Sequence, residues 1–180
     1  MGLQFDESEH DLHTGALVDL PELPIGVITV MTIGGDGSKI GLLFAEPTRP
    51  AEVVIVDVTQ RTINQITESA LGGVDPDDLI RPELVRYPSH DGREIPAWLY
   101  RPRGDGPFGV VLSIHGGPEA QEQPGYNYTG LYQYWLSRGI GVLAPNVRGS
   151  TGYGKTYQKL IHRDWGGAEL KDFEMAVKYV

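Results

Sequence analysis

The sequence predicts an α/β protein in two parts: an antiparallel β-meander, followed by an open sheet whose parallel strands are joined through a helix. Three observations predict it. Residues 108 to 114 (FGVVLSI) and 140 to 144 (IGVLA) are short apolar runs, each followed directly by a Gly-rich polar loop. Such runs, bounded by turn residues, read as buried parallel strands. Tyr128 to Arg138 lies between them with a helical pattern and a following Gly139, which supplies the crossover that parallel strands need. The charge, finally, divides near residue 85: residues 1 to 90 hold 15 acidic and 5 basic side chains, residues 91 to 180 hold 9 and 10.

Taken in order, the first 67 residues read as short strands separated by turn chemistry. The strands are Ile25 to Ile33, Lys39 to Glu46, Glu52 to Val58 and Ile63 to Thr67, and the turns centre on Gly34 to Gly37, Pro47 to Pro50 and Thr59 to Thr62. Even spacing with tight polar turns is the pattern of a meander, the unit of a β-propeller blade. A propeller needs about 4–8 blades, so residues 1–67 amount to a partial one. Residues 68–83 carry Gly72-Gly73, Asp75-Pro76 and Arg81-Pro82. Too few apolar side chains remain there to pack, so the segment is expected to be a hydrated linker. Asp75, Asp77 and Asp78 lack the loop Gly and closing Glu of a calcium loop, and no metal site is expected.

Residues 84–180 form the second part. Leu84 to Arg101 reads as two strands around a two-residue hairpin turn at Asp91-Gly92, and Pro88 and Pro96 place both strands at a sheet edge because each removes a ladder donor. Phe108 to Ile114 is expected to be a fully buried strand. Leu170, Phe173, Val177 and Val180 fall at i, i+3, i+7 and i+10, which predicts the buried face of a helix.

Composition excludes several function classes. The acidic first half repels phosphate backbones and anionic lipids, so neither nucleic acid nor membrane is an expected partner. No stretch approaches the roughly 20 apolar residues of a membrane span, and the acidic start is unlike a secretory leader, which predicts a soluble, cytoplasmic protein. With no cysteine there is no disulfide, thiol nucleophile or thiolate metal site.

The chemistry-bearing motifs stand at the ends of the two expected parallel strands. His115-Gly116-Gly117-Pro118 follows the first, and glycine there lets the backbone turn sharply and approach a substrate, while Pro118 stiffens the exit. Backbone N–H donors so placed suit the oxyanion of acyl transfer. Pro145 to Gly154 follows the second strand and puts Arg148, Ser150 and Tyr153 on the same rim, where ligands sit in open α/β sheets.

These motifs, with Asp164-Trp165-Gly166-Gly167 and the helix after it, resemble the prolyl oligopeptidase family of serine peptidases, in the branch of acylaminoacyl peptidases and dipeptidyl aminopeptidases. The resemblance runs from about residue 84 to 180. It implies the N-terminal half of an α/β-hydrolase sheet preceded by the last blade of a β-propeller, and peptide hydrolysis through an acyl-enzyme without metal or cofactor. Short peptides are the implied substrates. Gly117 matches a position whose N–H helps form the oxyanion hole, with Gly116 and His115 adjacent. Some branches carry, in place of His115, a tyrosine whose hydroxyl serves the oxyanion; in the branch with His-Gly-Gly-Pro the resemblance gives His115 a structural role. Arg148, Tyr153 and Asp172 match positions expected to hold the rim loop and the following helix. None of the Ser/Asp/His triad falls within residues 1–180, because the nucleophile elbow, the acid and the histidine come later in chain order.

Two other readings remain. Gly149 to Thr156 satisfies G-x-x-x-x-G-K-[ST], a phosphate-cradling P-loop in which Lys155 and Thr156 would meet phosphate and magnesium. The chain could also be the non-catalytic half of a split hydrolase, completed by a partner chain that carries the serine. Of its seven serines, Ser150 alone has flanks resembling a nucleophile elbow, but Arg148 stands two residues before it, where a small residue is needed. His10, His13, His90 and His162 are expected at the surface.

Overall fold

The computed structural model of the protein describes residues 9–10, 17–18, 20–117 and 119–180. His13 and Pro118 lie outside the described residues, as does the side chain of His10. The chain divides into two compact units. One comprises residues 80–123 and 129–180; the other holds the residues up to 79, joined by 124–128.

In the first part of the chain, β1 (Glu9–His10) and β2 (Leu17–Val18) pair antiparallel. There follows a four-stranded antiparallel meander of β3 (Val27–Ile33), β4 (Lys39–Glu46), β5 (Arg49–Asp57) and β6 (Thr62–Gln65), paired in that order. Alternation sends Ile40, Leu42 and Phe44 of β4 and Val54 and Val56 of β5 to one buried face, against Leu20, Leu23, Ile28 and Val58. The opposite face leaves Val30 and Val53, the cross-strand neighbours of Leu43, exposed, as a sheet covered on one side does; Met31 and Ile63, on the flanking strands, are exposed on the first face. Glu52 is buried on β5, where it accepts hydrogen bonds from the Thr67 hydroxyl and the Ser69 N–H. Burial alone would push this carboxyl up, but those donors hold it below its ordinary value. Residues 124–128 belong to this unit, and the Tyr128 hydroxyl accepts from Ala51 N at 3.2 Å. Within residues 68–83, Asp75 caps a short 3₁₀ turn at Pro76–Asp78.

The second unit has a sheet of β7 (Glu83–Pro88), β8 (Glu94–Tyr100), β9 (Val110–Leu112) and β10 (Gly141–Pro145), in the order β7-β8-β10-β9. β7, β8 and β10 pair antiparallel and β9 pairs parallel with β10. The helices are α1 (Leu131–Ser137), α2 (Lys155–Gln158) and α3 (Ala168–Tyr179). Ile95, Ala97 and Leu99 of β8 and Leu143 of β10 face Ala176 of α3. Trp98 and Tyr100, with Val142 and Ala144, face Tyr132 and Leu136 of α1. The result is a sheet with a helix on each face.

Several expectations change. The hairpin loop has three residues, not two: Ser89 N donates to Arg93 O at 2.7 Å, and Gly92 takes φ +80, the left-handed position of a three-residue loop. Pro96 lies in β8, an interior strand. Its carbonyl accepts from Asn146 N at 2.8 Å, just past the last β8–β10 register pair, Ala97 with Pro145. N–H and C=O of one residue leave a strand on the same side, so the missing donor would have faced Asn146 O, which accepts from the Tyr157 hydroxyl at 2.7 Å instead. β9 is shorter than expected and half-buried, being an edge strand among the described residues. The α1 helix starts three residues late because residues 124–128 join the other unit; it ends as expected, with Gly139 at φ +75 and Ile140 N donating back to Trp135 O. The α3 helix is rotated from the predicted face. Leu170, Val177 and Val180 are exposed, while Glu169, Asp172 and Ala176 are buried. Of the expected face, Phe173 is half-buried and packs on the core beside Met175, while Asp172 adds a buried charged contact to Arg148.

Candidate functional site

The carboxyl ends of the parallel strands β9 and β10 bring two loops together. The β9 strand runs through Ser113 and Ile114 into His115, Gly116 and Gly117. Gly117 has φ +129, and a Cβ there would meet Ala120 Cβ at 2.9 Å and the Glu119 and Ala120 nitrogens at 3.0 Å. Only glycine can make this fold-back. Gly116 and Gly117 are exposed, and no backbone hydrogen bond among the described residues uses the Gly117 N–H. A donor at a strand end, open to solvent and held in a tight turn, can stabilise an oxyanion.

His115 is half-buried beside the second loop. The Ser150 hydroxyl donates to Val147 O at 2.7 Å and lies 2.9 Å from His115 Nε2. With its one hydrogen committed, Ser150 accepts from Nε2, while Nδ1 lies 3.0 Å from Gly116 O, which can only accept. Ser150 is fully buried. Neither residue is arranged for proton transfer to a substrate; together they tie the first loop to the second.

Arg148 holds the second loop from beneath. Its backbone N and Nε donate to Asp172 Oδ2 at 3.0 and 2.9 Å, and Nη2 donates to Asp172 Oδ1 at 2.7 Å. Nη1 and Nη2 reach Asp91 of the β7–β8 loop at 3.0 and 3.1 Å, and the Ser89 hydroxyl donates to Asp172 at 2.5 Å. Arg148 and Asp172 are 5% and 0% exposed, so each charge depends on the other. The guanidinium is held further above its ordinary value by Asp172 and Asp91, and Arg148 draws the Asp91 carboxyl down to about 2. Tyr153 accepts from Asn146 Nδ2 at 2.9 Å, and burial pushes its phenol up. Asn146, fully buried, also bonds the first loop: its Oδ1 accepts from Glu122 N at 2.7 Å and its Nδ2 donates to Glu122 O at 3.1 Å. The Glu122 carboxyl is raised by burial; the Tyr132 hydroxyl donates to it at 3.2 Å.

Sequence reasoning missed Ser89, Asp91, Asn146, Glu119 and Glu122 as members of the site. Asp91 was visible only as turn chemistry, and Asn146 only as an interruption of a strand. His90 and His162 are exposed, as expected, but His162 has a carboxylate partner, Glu119, at 2.7 Å. Within the stretch that matches a P-loop, Gly149 N donates to Tyr157 O, Ser150 N to Val147 O and Thr151 N to Ala120 O, so these three N–H groups are engaged within the protein. The α2 helix after them has four residues.

Comparison with known proteins decides the family. The model of the prolyl oligopeptidase family matches residues 126–180. The uncharacterized peptidase YuxL of Bacillus subtilis is 31% identical over 135 residues, 73% of this chain and 20% of its own length. Dipeptidyl aminopeptidase BIII of Pseudoxanthomonas mexicana is 36% identical over 105 residues, 53% of this chain and 15% of its own length. This chain belongs to the prolyl oligopeptidase family. Among solved structures, puromycin hydrolase superposes with a TM-score of 0.79 at 28% identity, covering 94% of this chain and 26% of that one. The chain thus spans a fifth or less of these curated prolyl oligopeptidase-family relatives and about a quarter of the solved one. No helix among the described residues is long and apolar enough to cross a membrane.

Proposed function

We propose that this chain supplies the oxyanion half of a serine peptidase active site. The observation that carries the reading is the Gly117 turn: an exposed residue beyond the end of a parallel strand, in a conformation open to glycine alone, whose N–H makes no backbone hydrogen bond among the described residues. As a serine attacks the scissile carbonyl, the carbonyl oxygen gains negative charge. The Gly117 N–H stabilises it, and the serine's proton passes to a histidine base before reaching the leaving amine. His115 and Ser150 take no part in that transfer; with Arg148, Tyr153 and Asp172 they keep the two loops in place.

Serine, acid and base lie outside residues 1–180 in this reading, so the 180 residues alone hydrolyse nothing. They are supplied by further chain or by a complementing C-terminal partner, whose strand would pair with the half-buried edge of β9. The meander β3–β6 is the last blade of a β-propeller that precedes the peptidase domain, with residues 68–83 as the connection. Substrates are short peptides, as the peptidase names of the relatives suggest, and the enzyme is cytoplasmic and uses no metal or cofactor.

The test is hydrolysis of aminoacyl or peptidyl anilides by the native protein at its natural length. Its intact mass should exceed 19.7 kDa several-fold, and Gly117→Pro should lower kcat by about 10²-fold or more. The purified 180-residue chain should be inert; hydrolysis by that chain, abolished in Gly117→Pro, would refute its dependence on further residues.

A further inference from the structure

The outgoing limb of the oxyanion loop is fastened by its own side chain. Glu119, two residues after Gly117, uses both carboxylate oxygens: Gln158 Nε2 donates to Oε2 at 2.7 Å and His162 Nε2 donates to Oε1 at 2.7 Å. Gln158 closes α2 and His162 follows the next turn, so both donors come from one segment, beyond the rim loop. Next in the chain, Ala120 O accepts from Thr151 N at 2.8 Å. A carboxylate can only accept, so His162 Nε2 carries the hydrogen, leaving Nδ1 to take up a second proton.

We propose that Glu119 is a positioning residue for the oxyanion donor Gly117, clasping Gln158 and His162 and tightening when His162 is protonated. The proposal rests on the serine peptidase reading. A Cβ on Gly117 would meet the backbone nitrogens of residues 119 and 120 at 3.0 Å, so the Gly117 backbone lies directly against these residues and a shift of residue 119 should be felt there. The two donors leave Glu119 below the ordinary carboxylate range. His162 is the ionisable group that faces it; Lys155, Lys159 and Arg163 of the same segment are exposed. Glu119 and His162 are 39% and 48% exposed, so the clasp is screened by water and trims the geometry rather than holding up the fold. That distinguishes it from the buried Arg148 network.

The experiment uses the native protein at its natural length with an anilide substrate. Glu119→Ala should lower kcat about three- to tenfold with KM changed by less than about twofold, since a displaced donor weakens the transition state more than the ground state. Glu119→Gln, which keeps the shape without the charge, should fall between, and it carries the test if the alanine variant does not fold. His162→Gln keeps a donor that cannot gain charge. The ratio of wild-type to His162→Gln kcat should be larger at low pH than at high pH, because the imidazole can gain a proton and the amide cannot. In parallel, amide exchange at Gly117 and Thr151 should quicken in both Glu119 variants. Unchanged kcat and unchanged exchange in those variants would overturn the clasp, and a ratio that is flat with pH would overturn the role of His162. A wild-type protein that hydrolyses nothing would refute the peptidase reading instead, and the exchange measurement would still decide the clasp.

Discussion

In the meander β3–β6 the buried polar side chains are Thr48 and Glu52, whereas the sheet β7-β8-β10-β9 and its loops bury Ser89, Asn146, Arg148, Ser150, Glu169 and Asp172. Strands of similar length build both, and their hydrophobic faces follow the same alternation. The difference lies where the backbone leaves the ladder. In the meander the β3–β4 turn is solvated and satisfies itself locally, Asp36 accepting from Ser38 N at 3.0 Å, while the β4–β5 turn buries Thr48 with its hydroxyl unpaired among the described residues. In the other unit the loop after β10 departs from a buried strand end, and its groups are satisfied by residues far along the chain. A loop that must hold an oxyanion donor needs such fixed partners; a connecting turn does not.

The sharpest break in this comparison is Arg148→Met. It leaves Asp172 as a buried, uncompensated carboxylate and should cost about 3–5 kcal/mol, read by urea unfolding of the 180-residue chain. Glu52→Gln in the meander keeps an acceptor for its donors and should cost about 1 kcal/mol. A loss from Arg148→Met no larger than that would remove the distinction.

Glycine substitutions should rank in the same order. At Gly152, φ is +83 and a Cβ would strike the Gln121 amide, so Gly152→Ala should cost about 2–3 kcal/mol. At Gly37, φ is +72 but the space is open, and Gly37→Ala should cost about 1 kcal/mol. The two shifts in urea midpoint test the difference.

A smaller effect concerns pH. Asp91 has its carboxyl lowered to about 2 by Arg148, below its unfolded value of about 3.9. Its contribution to stability is therefore present above about pH 4 and lost as pH falls through about 2. The thermal midpoint should drop across that window, and Asp91→Asn should flatten the drop. Asp91 is 37% exposed, so solvent screens the effect. Least of all, Val30→Ser on the exposed side of β3 should change stability by no more than about 0.5 kcal/mol.

Much of the frame was legible along the chain. The β4 strand begins and ends where apolar alternation meets turn residues, and Gly139 stops α1 because a left-handed residue was needed there. Such signals are local. What escaped notice depends on partners 24 and 57 residues apart, the separations of Arg148 from Asp172 and Asp91. Periodicity placed Leu170 and Val177 on the buried face of α3, but Asp172 turns toward Arg148. Phe173 packs on the core as periodicity expects, but a rule that assigns burial by hydrophobicity cannot find the buried Asp172 beside it. Pro96 misled for a related reason: the rule against proline inside sheets weighs the strand, and here the end of a neighbouring strand decided.

Ser150 offers a diagnostic of another kind. Reagents that acylate or phosphonylate active-site serines need an accessible oxygen with a lone pair to spare. The Ser150 oxygen is fully enclosed, with its hydrogen engaged by Val147 and a lone pair taken by His115. It should therefore stay unmodified while the rim remains folded. When the native protein is treated with such a probe and digested, the mass of the single tagged peptide would reveal where along the polypeptide the nucleophile resides, with residues 1–180 serving as the internal blank.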